Sequence, residues 1–202
     1  MKTDIYKFER AVTELEGINE IADKAAAYSG LDEKQKLKLM LLCEELIEML
    51  PNLLLYGKGE FWIETKDKKF EIHSVVEADD LLSSTDREDI LKVSTTGKNA
   101  AAVGIMNKIK IAAEIMMSNY AHSAGTAGMT FPDSHYAYYN MGMYRDPVAD
   151  IDEWSLTAYR DNVKKDDSAW DELERSIIAK IADDVTVSIL GGKVEIVIKK
   201  SF

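Results

Sequence analysis

The 202-residue chain is poor in cysteine, histidine and proline, with one, three and three of each. The lone Cys43 cannot close an internal disulfide, and His73, His122 and His135 lack the paired spacing of a zinc site. Positive charge is also short. With 25 Lys+Arg against 36 Asp+Glu, the net charge is -11. Such a surface repels phosphate backbones and anionic headgroups, so neither a nucleic acid nor a membrane is expected as a partner. No apolar run reaches the roughly 18 to 20 residues of a bilayer span. The nearest stretch, Leu39 to Leu55, is interrupted by Glu44, Glu45, Glu48 and Pro51. The opening MKTDIYKFER has neither the apolar core nor the cleavage site of a signal peptide, so a cytoplasmic location is expected.

What is present is a balance of 46% hydrophobic and 30% charged residues, enough apolar material for one buried core. A single domain over residues 1–202 is expected. From Phe8 to about Ala27, Phe8, Val12, Leu15, Ile18, Ile21 and Ala25 recur at three and four residues, which predicts a first helix. Ser29 and Gly30 interrupt it. Asp32 is placed to cap a second helix, whose face carries Leu37, Met40, Leu41, Leu46, Ile47 and Leu50 and which is expected to end near Pro51.

Past Gly57-Lys58-Gly59 the period changes to two. Phe61, Ile63 and Thr65, then Phe70, Ile72 and Ser74 after the charged Asp67-Lys68-Lys69, predict a β-hairpin over 60–76. The chain closes in the same way, with Val185, Val187 and Ile189 alternating up to Gly191-Gly192, and Val194, Ile196 and Ile198 after it. Between the hairpins a helix is expected from about Ala100 to Met117. Residues 118–144 hold five of the nine tyrosines, at 120, 136, 138, 139 and 144, and read as an ordered insertion reaching to about 167. Tyrosine and methionine are residue types that interfaces enrich, so this segment is a candidate surface for a protein partner or for homo-oligomerisation. Arg145 to Asp184 has 12 acidic and 6 basic residues and is expected to end in a helix capped by Ser168, with Trp170, Leu173, Ile177, Ile178 and Ile181 on one face. The order of elements predicts an α+β two-layer sandwich: a mixed or antiparallel sheet of at least four strands, with helices on one face.

A helix carrying Cys43-Glu44-Glu45-Leu46-Ile47 before a hairpin, with Ile181-Ala182-Asp183-Asp184-Val185 leading into a terminal hairpin, resembles the histidine-kinase-like ATPase fold. Within it the chain is similar to the bacterial anti-sigma-factor serine kinases, over about three quarters of its length, with 118–167 as the unmatched insertion. The resemblance implies a helix with a basic Glu and, four residues on, an Asn that ligates the magnesium of ATP. Two registers fit. One makes Glu45 the base and places Met49, which cannot bind a hard cation, where the Asn belongs. The other matches Tyr56-Gly57 to the end of the motif and makes Glu48 the base and Asn52 the metal ligand, with Pro51 inside the helix at about 3 kcal/mol. The first is favoured.

The family's adenine-reading Asp with close glycines should follow the hairpin. Here Glu77-Ala78-Asp79-Asp80 stands there, and no glycine occurs from 60 to 96. A phosphate-cradling turn corresponds to Ser94, Thr95, Thr96, Gly97, Lys98 and Asn99, with Gly104 seven residues after Gly97. It is not a P-loop, since Lys92 replaces the first glycine of that motif. The resemblance therefore implies a regulatory protein with a degenerate nucleotide site that works by binding a protein partner, such as a transcription regulator. Its alternative is an active ATP- and magnesium-dependent serine kinase. Cys43 reads as a small buried hydrophobe.

Overall fold

The computed structural model describes residues 1–9, 16–53, 56–78, 105, 108, 109, 112, 113, 153–163, 173, 176–190 and 192–202. Their strands are β1 (Tyr6–Glu9), β2 (Tyr56–Lys66), β3 (Lys69–Ala78), β4 (Glu153–Ser155), β5 (Asp184–Leu190) and β6 (Lys193–Ser201). The helices are α1 (Glu16–Tyr28), α2 (Glu33–Leu53), α3 (Leu156–Asn162) and α4 (Ile177–Ile181). The strands form one six-stranded sheet in the order β1-β2-β3-β6-β5-β4, antiparallel at every pairing. This is an α+β architecture consistent with two layers.

Period-two patterning places Phe8, Phe61, Ile63, Phe70, Ile72, Val76, Val185, Val187, Val194, Ile196 and Ile198 on the sheet face that shares a core with α1 and α2. Helix α1 contributes Ile18, Ile21, Ala22, Ala25 and Ala26, and α2 contributes Leu39, Leu42, Cys43, Leu46, Ile47 and Leu50. The alanines of α1 keep that helix slim where it meets α2. Between the two helices the backbone makes a Schellman turn. Leu31 N–H donates to Ala26 C=O at 3.1 Å and Gly30 N–H to Ala27 C=O at 3.2 Å, with Gly30 at φ 61. Asp32 then caps α2 as expected, in a reciprocal capping box: Gln35 N–H donates to Asp32 Oδ1 at 2.9 Å and Asp32 N–H to Gln35 Oε1 at 3.1 Å.

Several boundaries differ from the pattern reading. Phe8 belongs to β1, not to the first helix, which begins at Glu16. The spacing of three and four that includes Phe8 is overridden by pairing with β2, where Phe8 lies opposite Gly59 and Tyr6 opposite Phe61. Gly57, Lys58 and Gly59 lie within β2, so the hairpin spans 56–78. Gly59 stands in a strand because the Phe8 ring occupies the space a Cβ would fill. Helix α2 continues past Pro51 to Leu53. Ile105, Lys108, Ile109, Ala112 and Ala113 are helical, in line with the expected third helix.

Residues 153–163, inside the span expected to be an insertion, instead supply an edge strand and α3, with Trp154, Leu156 and Tyr159 in the core. The helix expected through Leu173 and Ile177 restarts at Ser176, whose Oγ accepts from Ala179 N–H at 3.2 Å; Ser168 lies outside the described residues.

The Asp183-Asp184 pair joins these last elements. Asp183 Oδ1 accepts from Lys200 Nζ at 2.7 Å and Oδ2 from Ser201 N–H at 2.6 Å. Burial works against the Asp183 carboxylate, yet these donors outweigh it and hold the group below its ordinary value. Asp184 Oδ1 accepts from Thr157 N–H at 2.9 Å, while Ser155 Oγ accepts from Ala158 N–H at 3.1 Å, so two side chains cap α3. Arg160 donates to the carbonyls of Asp183, at 3.1 Å, and of Ala179, closing the end of α4.

Two substitutions test these assignments. Gly59→Ala is expected to destabilise the fold by about 1 to 3 kcal/mol through overpacking on Phe8, and Phe8→Leu in the same chain to recover part of the loss, both read by urea unfolding. The β2–β3 turn residues Asp67 and Lys68 hold φ of 51 and 58 without being glycine. Lys68→Gly should therefore raise stability by about 1 kcal/mol in the same assay.

Candidate functional site

The residues expected to carry chemistry divide into three groups. Glu45 is partly buried on α2, Glu48 is exposed on the side of the helix away from the core, and Asn52 stands one turn after Glu48 on the same helix. Ser94, Thr95, Thr96, Gly97, Lys98, Asn99 and Gly104 lie outside the described residues. Among the histidines, only His73 is described.

Continuation of α2 through Pro51 has a direct consequence for the two registers. The missing Pro51 N–H falls in the last turn, where one intrahelical bond is lost and the helix still closes at Leu53. Glu48 and Asn52 are thereby one helical turn apart along α2. Glu45 is partly buried, and its carboxyl is raised above the ordinary range by burial first, then by the charges of Glu48 and Glu44. Cys43 is fully buried in the α1–α2 core, and burial pushes its thiol up, leaving it inert.

A second cluster lies on the other face of the sheet, away from the helices. Trp62 and His73 are cross-strand partners on β2 and β3, stacked with ring centroids 4.7 Å apart and planes 6° from parallel. Neighbouring on the same face are Glu64 and Glu71, directly opposite each other. Trp62 Nε1–H donates to Glu64 Oε1 at 3.0 Å, and Lys2 Nζ lies 3.1 Å from the same oxygen and 4.4 Å from the Trp62 ring centroid. Lys2 and Trp62 together hold Glu64 below the usual carboxylate range. His73 Nδ1 is 3.2 Å from Glu195 Oε1 on β6, and Nε2 is 3.7 Å from Glu71 Oε2.

This cluster escapes reading from the sequence because its members sit on three strands. The available signal is local: Glu71 and His73, two apart on a strand, must share a face. That Glu64 joins them follows only from the hairpin register, and Glu195 only from the β3–β6 pairing.

Neither a protein-family model, a curated protein nor a solved structure matches the chain. Among the described residues, no helix is long and apolar enough to cross a membrane.

Because the folded environment raises the Glu45 carboxyl, ionisation favours the unfolded chain as pH climbs from the unfolded value of about 4.3 through the raised folded one. Glu45→Gln should therefore stabilise the protein at pH 7, by less than about 1 kcal/mol for so exposed a group, with the gain vanishing below pH ~4. Urea midpoints of both proteins across pH 3 to 8 check this.

Proposed function

We propose that this protein is a regulatory module of the histidine-kinase-like ATPase type with a degenerate nucleotide site, working by binding a protein partner. The observation that carries the reading is α2. It presents a partly buried Glu45, raised above its ordinary range, on a long helix in the core layer over a β-hairpin, while the residue one turn on is the apolar Met49. Phosphoryl transfer rests on positioned charge and metal, so a base without its magnesium ligand is left with little catalytic power. The glycine-free run from 60 to 96 points the same way, since backbone cannot approach an adenine as closely where every residue carries a Cβ. The Tyr- and Met-rich residues 116–144 supply side chains suited to a protein interface.

A second reading is favoured by one specific feature. With α2 continuous through Pro51, Glu48 and Asn52 have the one-turn spacing of a base and a magnesium ligand, as in a working serine kinase of the anti-sigma type. Here Ser94 to Asn99 and Gly104 would hold the phosphates.

Calorimetric titration of the whole chain with ATP and ADP, with and without magnesium, separates the two. The regulatory reading expects no heat, or only millimolar binding indifferent to magnesium. Micromolar, magnesium-dependent binding that Asn52→Ala weakens tenfold or more would overturn it in favour of the kinase.

A further inference from the structure

We propose that Glu64, Glu71 and His73 form a binding site for a divalent first-row transition ion of the zinc class, on the sheet face opposite the helices. The site does not depend on the nucleotide reading. One ligand atom from each of the three side chains lies within 4.8 Å of the other two. Tetrahedral bonds of 2.0 to 2.1 Å place ligand atoms about 3.4 Å apart. His73 Nε2 and Glu71 Oε2, at 3.7 Å, already approach that separation. The remaining closure falls to Glu71 and Glu64, whose side chains are 49% and 42% exposed; Glu64 turns toward the ring at the expense of its Oε1 contacts with Trp62 and Lys2.

The histidine is held as a metal-binding imidazole is held. The Glu195 carboxylate can only accept, so in the neutral ring Nδ1 carries the proton and Nε2 offers its lone pair toward the carboxylates. Nε2 is buried and has no hydrogen-bond partner. The parallel Trp62 ring blocks rotation of the imidazole from one side.

Charge supplies an independent reason for a cation. Glu64 and Glu71 are directly cross-strand, a pairing of like charges that destabilises a sheet, and Glu195 adds a third carboxylate beside the same ring. Lys2 meets Glu64 through Oε1, and Lys199 stands opposite Glu71 in the β6 register. One imidazole with two carboxylates suits zinc, manganese, cobalt or nickel better than magnesium or calcium, which take oxygen ligands. Three protein ligands also leave a coordination position open.

The test uses the intact chain and zinc chloride. Calorimetry is expected to show one zinc bound, weakened at least tenfold by His73→Gln and by Glu71→Gln, and ten- to a hundredfold by Glu195→Gln acting through the ring. Nickel should quench tryptophan fluorescence in the parent chain, and Trp62→Phe should remove that quenching while keeping the zinc heat. His122→Ala with His135→Ala should leave zinc binding intact. Unchanged zinc affinity in Glu71→Gln, or loss of binding in the His122/His135 variant, would overturn the proposal. Should His73→Gln fail to fold by circular dichroism, the half-exposed Glu71→Gln decides alone.

Discussion

The described structure depends on the pairing of β3 with β6. Two hairpins, each closed by its own short turn, become one sheet only because Lys69 to Glu77 aligns antiparallel with Ser201 back to Lys193. An isolated hairpin is marginal in water, whereas a joined sheet has an apolar face large enough to hold a helical layer. At this seam Ile72 meets Ile198, and Val76 meets Val194, on the core side. The small Ser74, fully buried, sits between Phe61 and Ile196 and leaves room for their side chains. On the opposite side the same seam brings Glu195 to His73. Core and candidate metal site are thus two faces of one strand register.

A one-residue slip of β3 along β6 would turn β3 over, carrying Glu71 and His73 to the core side and Ile72 away from it while Ile198 stayed in place. Further constraints act against slippage. The Asp183 carboxylate grips Lys200 and the Ser201 N–H, and Phe202 N–H donates to the Lys68 carbonyl at 3.0 Å, tying the chain end to the first hairpin's turn. At the other edge, the N-terminal residues run beside β2, where Thr3 Oγ1 accepts from Ile63 N–H at 2.9 Å and Thr65 N–H donates to the Met1 carbonyl at 2.8 Å. The same segment delivers Lys2 to Glu64 and Trp62. Both chain ends therefore reinforce the strands that carry the outer cluster.

Legibility followed the range of the interaction concerned. The alternation of Phe61, Ile63 and Thr65, and of Val194, Ile196 and Ile198, identified both hairpins, since a half-buried strand must alternate. Ser29-Gly30 and Asp32 marked a helix junction because a Schellman turn and a capping box need few residues and no distant partner. Phe8 misled because its spacing to Val12 fits a helix as well as Tyr6-Lys7-Phe8-Glu9 fits a strand, and β2 settles the choice. The helix end expected near Pro51 falls two residues on, at Leu53: proline forbids its own donor bond, yet the last turn tolerates one missing bond. Of the α2 candidates, the periodicity places Glu45 and Glu48 on a helix, whereas Asn52 follows Pro51 and reads as a turn residue; its one-turn relation to Glu48 depends on the helix continuing to Leu53.

Periodicity, capping residues and glycine placement were thus enough to establish the four hairpin strands, the two long helices and an α+β class, because each is governed by contacts within a few residues. The strand order, the addition of β4 at an edge, the choice of sheet face and the meeting of Glu64, Glu71, His73 and Glu195 were decided in three dimensions. Residues 73 and 195 are brought together by backbone pairing across more than half the chain, and no local preference encodes which distant strand satisfies an open sheet edge.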